Sequence, residues 1–368
     1  MVIDVHCHVG FSARRTDAAL PRFSFEQHGA AARPGFDSYF SPRFIARWQP
    51  LCRLGFVRRM LGVDWRLGPC DALDAQIQAF NDRHMLAAAG VDRMVLLAFD
   101  EYHAPDGTPL GPPPPRSHRG SLGSDLYVSN TLVRSLCAAR PDKFLFGASL
   151  HPYRVTDGRD AASLLEELKS AGAVLIKWLP IHQNIRAGDP RTVAFLRRAA
   201  ELNVTMLIHY GGEMTLARQH MEFESPAELL SVMRDLRRER RMPTVIVAHV
   251  ATPSTRFHSA RSFRLLTDAL LGEFRDAPLY ADVSALAAMG RAVWLPRIAR
   301  WRELHRKLVW GTDFPVPLFP TLFVHRMGIE ALRIGHIDSW IERDLRLKRA
   351  MGLSQDVFHR AGELLLGV

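Results

Sequence analysis

Residues 204–213, Val-Thr-Met-Leu-Ile-His-Tyr-Gly-Gly-Glu, carry the pattern that decides the fold. A continuous apolar and β-branched run is closed by a histidine and then broken by two glycines. An apolar run this short, with no polar alternation, reads as a strand buried on both faces, the kind found in parallel sheets sheathed by helices. The same grammar recurs on both sides of it. Downstream come Thr244–Ala248, Leu279–Val283 and Lys307–Trp310; upstream come Ala173–Trp178, Phe144–Leu150, Arg93–Ala98 and Met1–Val5. From the third run onward the spacing is about 28 to 40 residues, the size of a βα unit. Eight such units predict an α/β chain folded as a (β/α)8 TIM barrel over residues 1–368. The competing arrangement is an open doubly wound sheet, but no GxGxxG follows an early strand.

Two stretches break the repeat. The first, about residues 11–71, separates strand one from the helix feeding strand two and is rich in Arg and aromatics, among them Phe36, Tyr39, Phe40, Phe44, Trp48, Phe56 and Trp65. It is too apolar for a linker and is expected to be a folded insertion after strand one. The second is His103–Asp125, with Gly111-Pro-Pro-Pro-Pro-Arg116 inside it, a stiff extended loop. Loops that follow strands lie at the C-terminal mouth of such a barrel, so both segments are expected to cover the mouth.

The ends of the runs carry the chemistry. Strand one ends in His6-Cys7-His8, strand four holds Lys177, strand five ends in His209, strand six in His249 and strand eight in Asp313. Residues i and i+2 of an extended segment point to one side, so His6 and His8 make a chelating pair. Burying any one of these groups costs several kcal/mol unless it is paired or coordinated. A divalent cation at the mouth explains all six together. Imidazole and carboxylate donors suit Zn²⁺, with Fe, Mn and Co as alternatives. Asp282 and Ser284 at the end of strand seven are placed behind the site, and Arg43 and Arg47 of the insertion are candidates for holding a substrate carboxylate.

Composition narrows the rest. The chain of 368 residues has 48 Lys+Arg against 38 Asp+Glu and a formal charge of +10, yet only five of the basic residues are lysines and the arginines are scattered. That scatter, with no recognisable module, argues against nucleic acid and leaves a small anionic substrate as the partner. The four cysteines form no CxxC pair, no apolar run approaches the ~20 residues of a membrane span, and MVIDVHCH has neither part of a signal peptide. A cytoplasmic protein with reduced thiols is expected.

Taken in order, the segments IDVHCH, AAAGVDRMVLL, FGASLHPY, IKWLP, IHYG, AHVA and WGTDFP resemble the amidohydrolase superfamily, in its amidohydrolase 2 and aminocarboxymuconate-semialdehyde decarboxylase-like branch. The resemblance runs nearly end to end and is weakest in the insertion. It implies that His6, His8 and His209 bind the metal with Asp313, and that Asp313 also takes a proton from metal-bound water. It implies that His249 acts as acid/base, polarises the substrate or ligates a second metal. Lys177 falls where binuclear members carry a carboxylated, metal-bridging lysine, so it counts both as a metal ligand of one or two ions and as a catalytic residue. Because decarboxylase members generally lack that lysine, the expected activity is hydrolysis of a C–N or C–O bond in a small carboxylate, amide or lactone. The alternative is a non-oxidative decarboxylase or hydratase of an aromatic or unsaturated acid on the same scaffold. The resemblance also allows a homodimer.

Overall fold

The structure, a computed structural model, describes residues 1–114, 121–255 and 258–368. Pro115 and Arg116 of the Pro-rich loop therefore lie outside the described residues. Eight parallel strands form one sheet in sequence order: β1 Ile3–His8, β2 Arg93–Leu97, β3 Phe144–Ala148, β4 Leu175–Trp178, β5 Thr205–Ile208, β6 Val245–Val247, β7 Leu279–Asp282 and β8 Leu308–Val309. Each falls within or beside one of the eight runs read from the sequence. Between β1 and the chain just past β8, Val5 N–H donates to the Trp310 carbonyl (3.4 Å), Asp313 N–H to that of His6 (2.8 Å) and His8 N–H to that of Phe314 (2.7 Å). These bonds curl the sheet back on itself and put the His-Cys-His segment beside Asp313.

The alternation of strand side chains yields two cores. Ile3, Val5, Val95, Leu97, Leu145, Leu175, Leu207, Ile246 and Val309 fill the barrel interior. Their neighbours one residue on, such as Met94, Leu96, Ile176, Ile208 and Val247, pack outward in a larger cluster against helices such as Pro190–Glu201 and Ala227–Arg238. Parity then places Lys177, two residues after Leu175, and His209, two after Leu207, on the inner side. At β1 parity alone fails. Val5 belongs to the interior and Cys7 to the outer cluster, although a regular strand would keep them on one face. The pairing with β2 shifts register between Asp4 and Cys7, and this irregularity turns His6 and His8 inward.

The region after β1 contributes strands Ala13–Arg15 and Phe36–Phe40. These form an antiparallel sheet with Leu126–Val128 from the loop after β2, with Phe36–Phe40 in the centre. The insertion after β1 and the end of the loop after β2 thus share one sheet. The helix Pro42–Cys52 follows, with the Ser41 hydroxyl accepting from Phe44 N–H as its N-cap. No helix among the described residues is long and apolar enough to cross a membrane.

Candidate metal centre

Six side chains expected at the mouth are all buried or nearly so. His6 Nε2 lies 3.2 Å from His8 Nε2 and 3.2 Å from Asp313 Oδ1, and His8 Nε2 lies 3.3 Å from the same oxygen. Lys177 Nζ donates to His6 Nε2 at 3.0 Å. The donor atoms of His6, His8 and Asp313 all fall within 4.8 Å of one another, close enough to share one ion. His249 Nε2 faces the other Asp313 oxygen at 3.6 Å.

Asp282, at the end of β7, sets the tautomer of His6. Its Oδ2 meets His6 Nδ1 at 2.8 Å, so His6 carries its proton there and presents a lone pair at Nε2. Asp282 Oδ1 accepts His249 N–H (2.8 Å), Ser284 N–H (2.9 Å) and the Ser284 hydroxyl. His249 Nδ1 rests on the Ser284 carbonyl (3.0 Å) and hydroxyl (2.8 Å), which again leaves Nε2 as the lone pair. A second group, His6, His249 and Asp282, is also close enough for an ion. Its atoms are already saturated by these hydrogen bonds, so it braces the first group. Asp282 and Ser284 thus stand behind the site, as the sequence suggested.

Backbone conformation aims the remaining groups. His249, Val250 and Ala251 have φ of 54°, 52° and 50°, and Asp313 has 64°. Such values cost an L-residue, and a β-branched valine most, of order 1–3 kcal/mol each. The turn at His249 points its N–H at Asp282. Asp4, which the sequence reading did not single out, holds the Asp313 turn by accepting Thr312 N–H (3.0 Å) and the Thr312 hydroxyl (2.6 Å).

The electrostatics favour metal ligation. Burial lowers His8 and His209 to about 4 and His249 well below its ordinary value, so these imidazoles are neutral at pH 7. Burial alone would raise Asp313, but His6, His8 and Lys177 outweigh it and hold the carboxyl well below its ordinary range. Burial lowers Lys177 to about 8. Around His6 Nε2, therefore, an imidazole lone pair, a second imidazole nitrogen and a carboxylate oxygen face one another, and His8 Nδ1 is buried without a partner. The Lys177 ammonium, 3.0 Å from His6 Nε2, offsets part of their negative charge, and two imidazole nitrogens with a carboxylate oxygen are the donor types that a divalent metal takes, so the donor set fits one.

His209 stands apart from that group. Its ring packs edge-on against His249, with centroids 4.8 Å apart. Its Nε2 lies 3.3 Å from the Gly212 carbonyl and 3.5 Å from Glu213 Oε2. Other polar groups that follow the strands are engaged in structural contacts. Asp100 pairs with buried Arg154 and accepts His151 N–H (2.6 Å). Trp178 donates to the Leu150 carbonyl (2.8 Å), and the Tyr102 hydroxyl meets His220 (3.0 Å). Arg43 pairs with Asp125 (2.8 Å), and Arg47 donates to the carbonyls of Thr215 (3.4 Å) and Leu216 (3.1 Å), which ties the inserted helix to the loop after β5. The sequence reading missed Arg291, a buried guanidinium in the loop after β7. It lies in an unpatterned Ala/Met/Gly stretch, and nothing local signals its burial.

Among solved structures, the uncharacterized TIM-barrel protein from Bordetella bronchiseptica is 17% identical, with a TM-score of 0.51 over 95% of this chain and 99% of that one. This likeness shows the barrel fold. A probable 2-pyrone-4,6-dicarboxylic acid hydrolase from Acinetobacter baumannii with citric acid bound is 15% identical (TM-score 0.49; 100% and 99% covered). The 5-carboxyvanillate decarboxylase from Sphingomonas paucimobilis is 14% identical (TM-score 0.47; 97% and 98% covered). No curated protein matches the chain in sequence. The family model described as Amidohydrolase matches residues 121–330. That match spans more than half of the sequence and takes in the ends of β4 to β8, and on it the chain belongs to the amidohydrolase family of enzymes.

Proposed function

We propose that the chain is a metal-dependent hydrolase that cleaves a C–N or C–O bond of a small carboxylate, amide or lactone. His6, His8 and Asp313 would hold the ion, with His209 as a further ligand and Lys177 beside it as another if carboxylated. Zinc suits these donors best, with Fe, Mn and Co as alternatives. A bound divalent ion acidifies water and polarises a carbonyl. The remaining chemistry belongs to side chains. The observation that carries the reading is the 3.6 Å gap between His249 Nε2 and Asp313 Oδ2. A lone pair and a carboxylate oxygen do not bond to each other, but a water or leaving group that bears a proton satisfies both. Asp313 would take the proton of the attacking water and return it to the departing atom, while the His249 Nε2 lone pair accepts a hydrogen bond that orients the proton-bearing group. Segment 11–71, tied down through Arg43 and Arg47, is the lid. The free thiols of Cys7, Cys70 and Cys137 fit a cytoplasmic location.

A second reading, a non-oxidative decarboxylase or hydratase, has one observation in its favour. The second cluster around Asp282 is saturated, which leaves donors for a single ion and an unmodified Lys177. Turnover of metal-loaded protein on a panel of lactones, amides and aromatic acids in oxygen-18 water separates the two. Hydrolysis puts the label in the product and is lost in Asp313→Asn and His249→Ala. Carbon dioxide release with solvent deuterium in the product would replace the first reading with the second.

A further inference from the structure

We propose that Arg291 is the anchor for a substrate carboxylate, which makes the substrate of this site a carboxylic acid bound with its anionic group against the loop after β7. The inference rests on the mouth being the active site, as proposed above. Arg291 is 6% exposed, and no carboxylate lies within ion-pair distance of it among the described residues. Its Nη2 donates to the Gly212 carbonyl, and its Nε is buried with no partner. A buried guanidinium on a neutral carbonyl, with one donor of its fork unused, is costly without an anion. A water satisfies the unused donor but not the charge, whereas a carboxylate satisfies both and matches the fork.

The position is specific. The Gly212 carbonyl that holds Arg291 also accepts from His209 Nε2, so the guanidinium stands beside a proposed metal ligand. Close contacts fix it there. A Cβ on Gly212 would sit 2.1 Å from Ser254 N, and one on Gly290 would sit 1.9 Å from Ser254 O, so the loops after β5, β6 and β7 are locked through glycines. The hydroxyls of Ser254 and Thr252, in the loop after β6, are also buried without partners. Arg43 and Arg47 of the lid are engaged with Asp125 and with backbone carbonyls, so Arg291 is better placed for the role.

The test uses acetate as the probe and acetamide as its neutral isostere, at constant ionic strength. The readout is the arginine Nε–H resonances of the full chain, chelator-treated and metal-loaded. The resonance lost in Arg291→Lys identifies Arg291. A saturable shift of that resonance with acetate and none with acetamide is expected, with acetate affinity at least about tenfold weaker in Arg291→Lys, which keeps the charge and loses the fork. Metal uptake stays unchanged. If Arg291→Lys does not fold, crystals of the wild-type protein grown in acetate give the same answer, with the carboxylate on Arg291. An unmoved Arg291 resonance, equal response to acetamide, or acetate bound elsewhere overturns the proposal. The chelator-treated arm separates this outcome from failure of the metal reading, because acetate selectivity there requires Arg291 alone.

Discussion

Replacing Asp282 by asparagine tests how the site is built. Three donors converge on Asp282 Oδ1, from His249 N–H, Ser284 N–H and the Ser284 hydroxyl, while only His6 Nδ1 meets Oδ2. Asparagine has one acceptor oxygen, and three donors outvote one, so the amide NH₂ turns toward His6. His6 must then accept at Nδ1 and carry its proton on Nε2, the atom that faces His8, Asp313 and Lys177. A protonated Nε2 is no ligand. Loss of such an outer partner costs roughly 10–100-fold in metal affinity, or about 1.4–2.8 kcal/mol. The fold also loses a charge-assisted bond, worth roughly 1.5–3 kcal/mol. Competition of chelator-stripped protein against a chromophoric indicator reads the affinity, nitrogen-15 spectra of the histidines read the tautomer, and thermal melts read the stability. Asp282→Asn with wild-type metal affinity and His6 still protonated on Nδ1 would refute the argument.

Three further outcomes follow from the same geometry. In Gly311→Ala the new methyl would lie 2.9 Å from His6 Cβ and 3.2 Å from Val5 Cγ2, so β1 must move; a loss of about 1–3 kcal/mol in stability and weaker metal uptake are expected from melts and titration. Lys177→Met removes a buried cation and should raise the melting temperature of chelator-treated protein while abolishing activity, since a charge left in the interior is a cost kept for function. Burial raises Glu101 from 4.5 to about 7 although it accepts from Ala31 and Ala32 N–H and Tyr39. Its native pKa is above the unfolded one, so its contribution is complete below pH 4.5 and is lost as pH rises through 7. Glu101→Gln should therefore gain roughly 3 kcal/mol relative to wild type between pH 4 and pH 8 in denaturant titrations, and a pH-independent difference would count against the shift.

The barrel was legible because its strands are buried on both faces and write themselves as unbroken apolar runs. The strand-end groups were legible because a histidine or aspartate closing such a run violates its own pattern. Four features were not. The register shift at Asp4–Cys7 leaves no mark in the sequence, although without it His6 and His8 would face outward. The His-x-His spacing brings two imidazoles to 3.2 Å, as expected, but through an irregular strand rather than the regular one assumed. The left-handed turn at His249, Val250 and Ala251 involves no glycine, so no residue type announced it. Arg291 and Asp4 act through tertiary neighbours more than 70 residues away, Gly212 and Thr312, and local pattern carries no information at that separation. The insertion and the loop after β2 read as two interruptions because strand pairing between Phe36–Phe40 and Leu126–Val128 is likewise non-local.

The central claim is that His6, His8 and Asp313 meet in order to hold a divalent ion. The most direct measurement is metal content per chain after chelator treatment, reconstitution with zinc or manganese and removal of free ion, for wild type, His6→Ala and Asp313→Asn. Stoichiometric retention by the wild-type protein and its loss in both folded variants are expected. A wild-type protein that retains no metal, or variants that retain as much as it does, would contradict it.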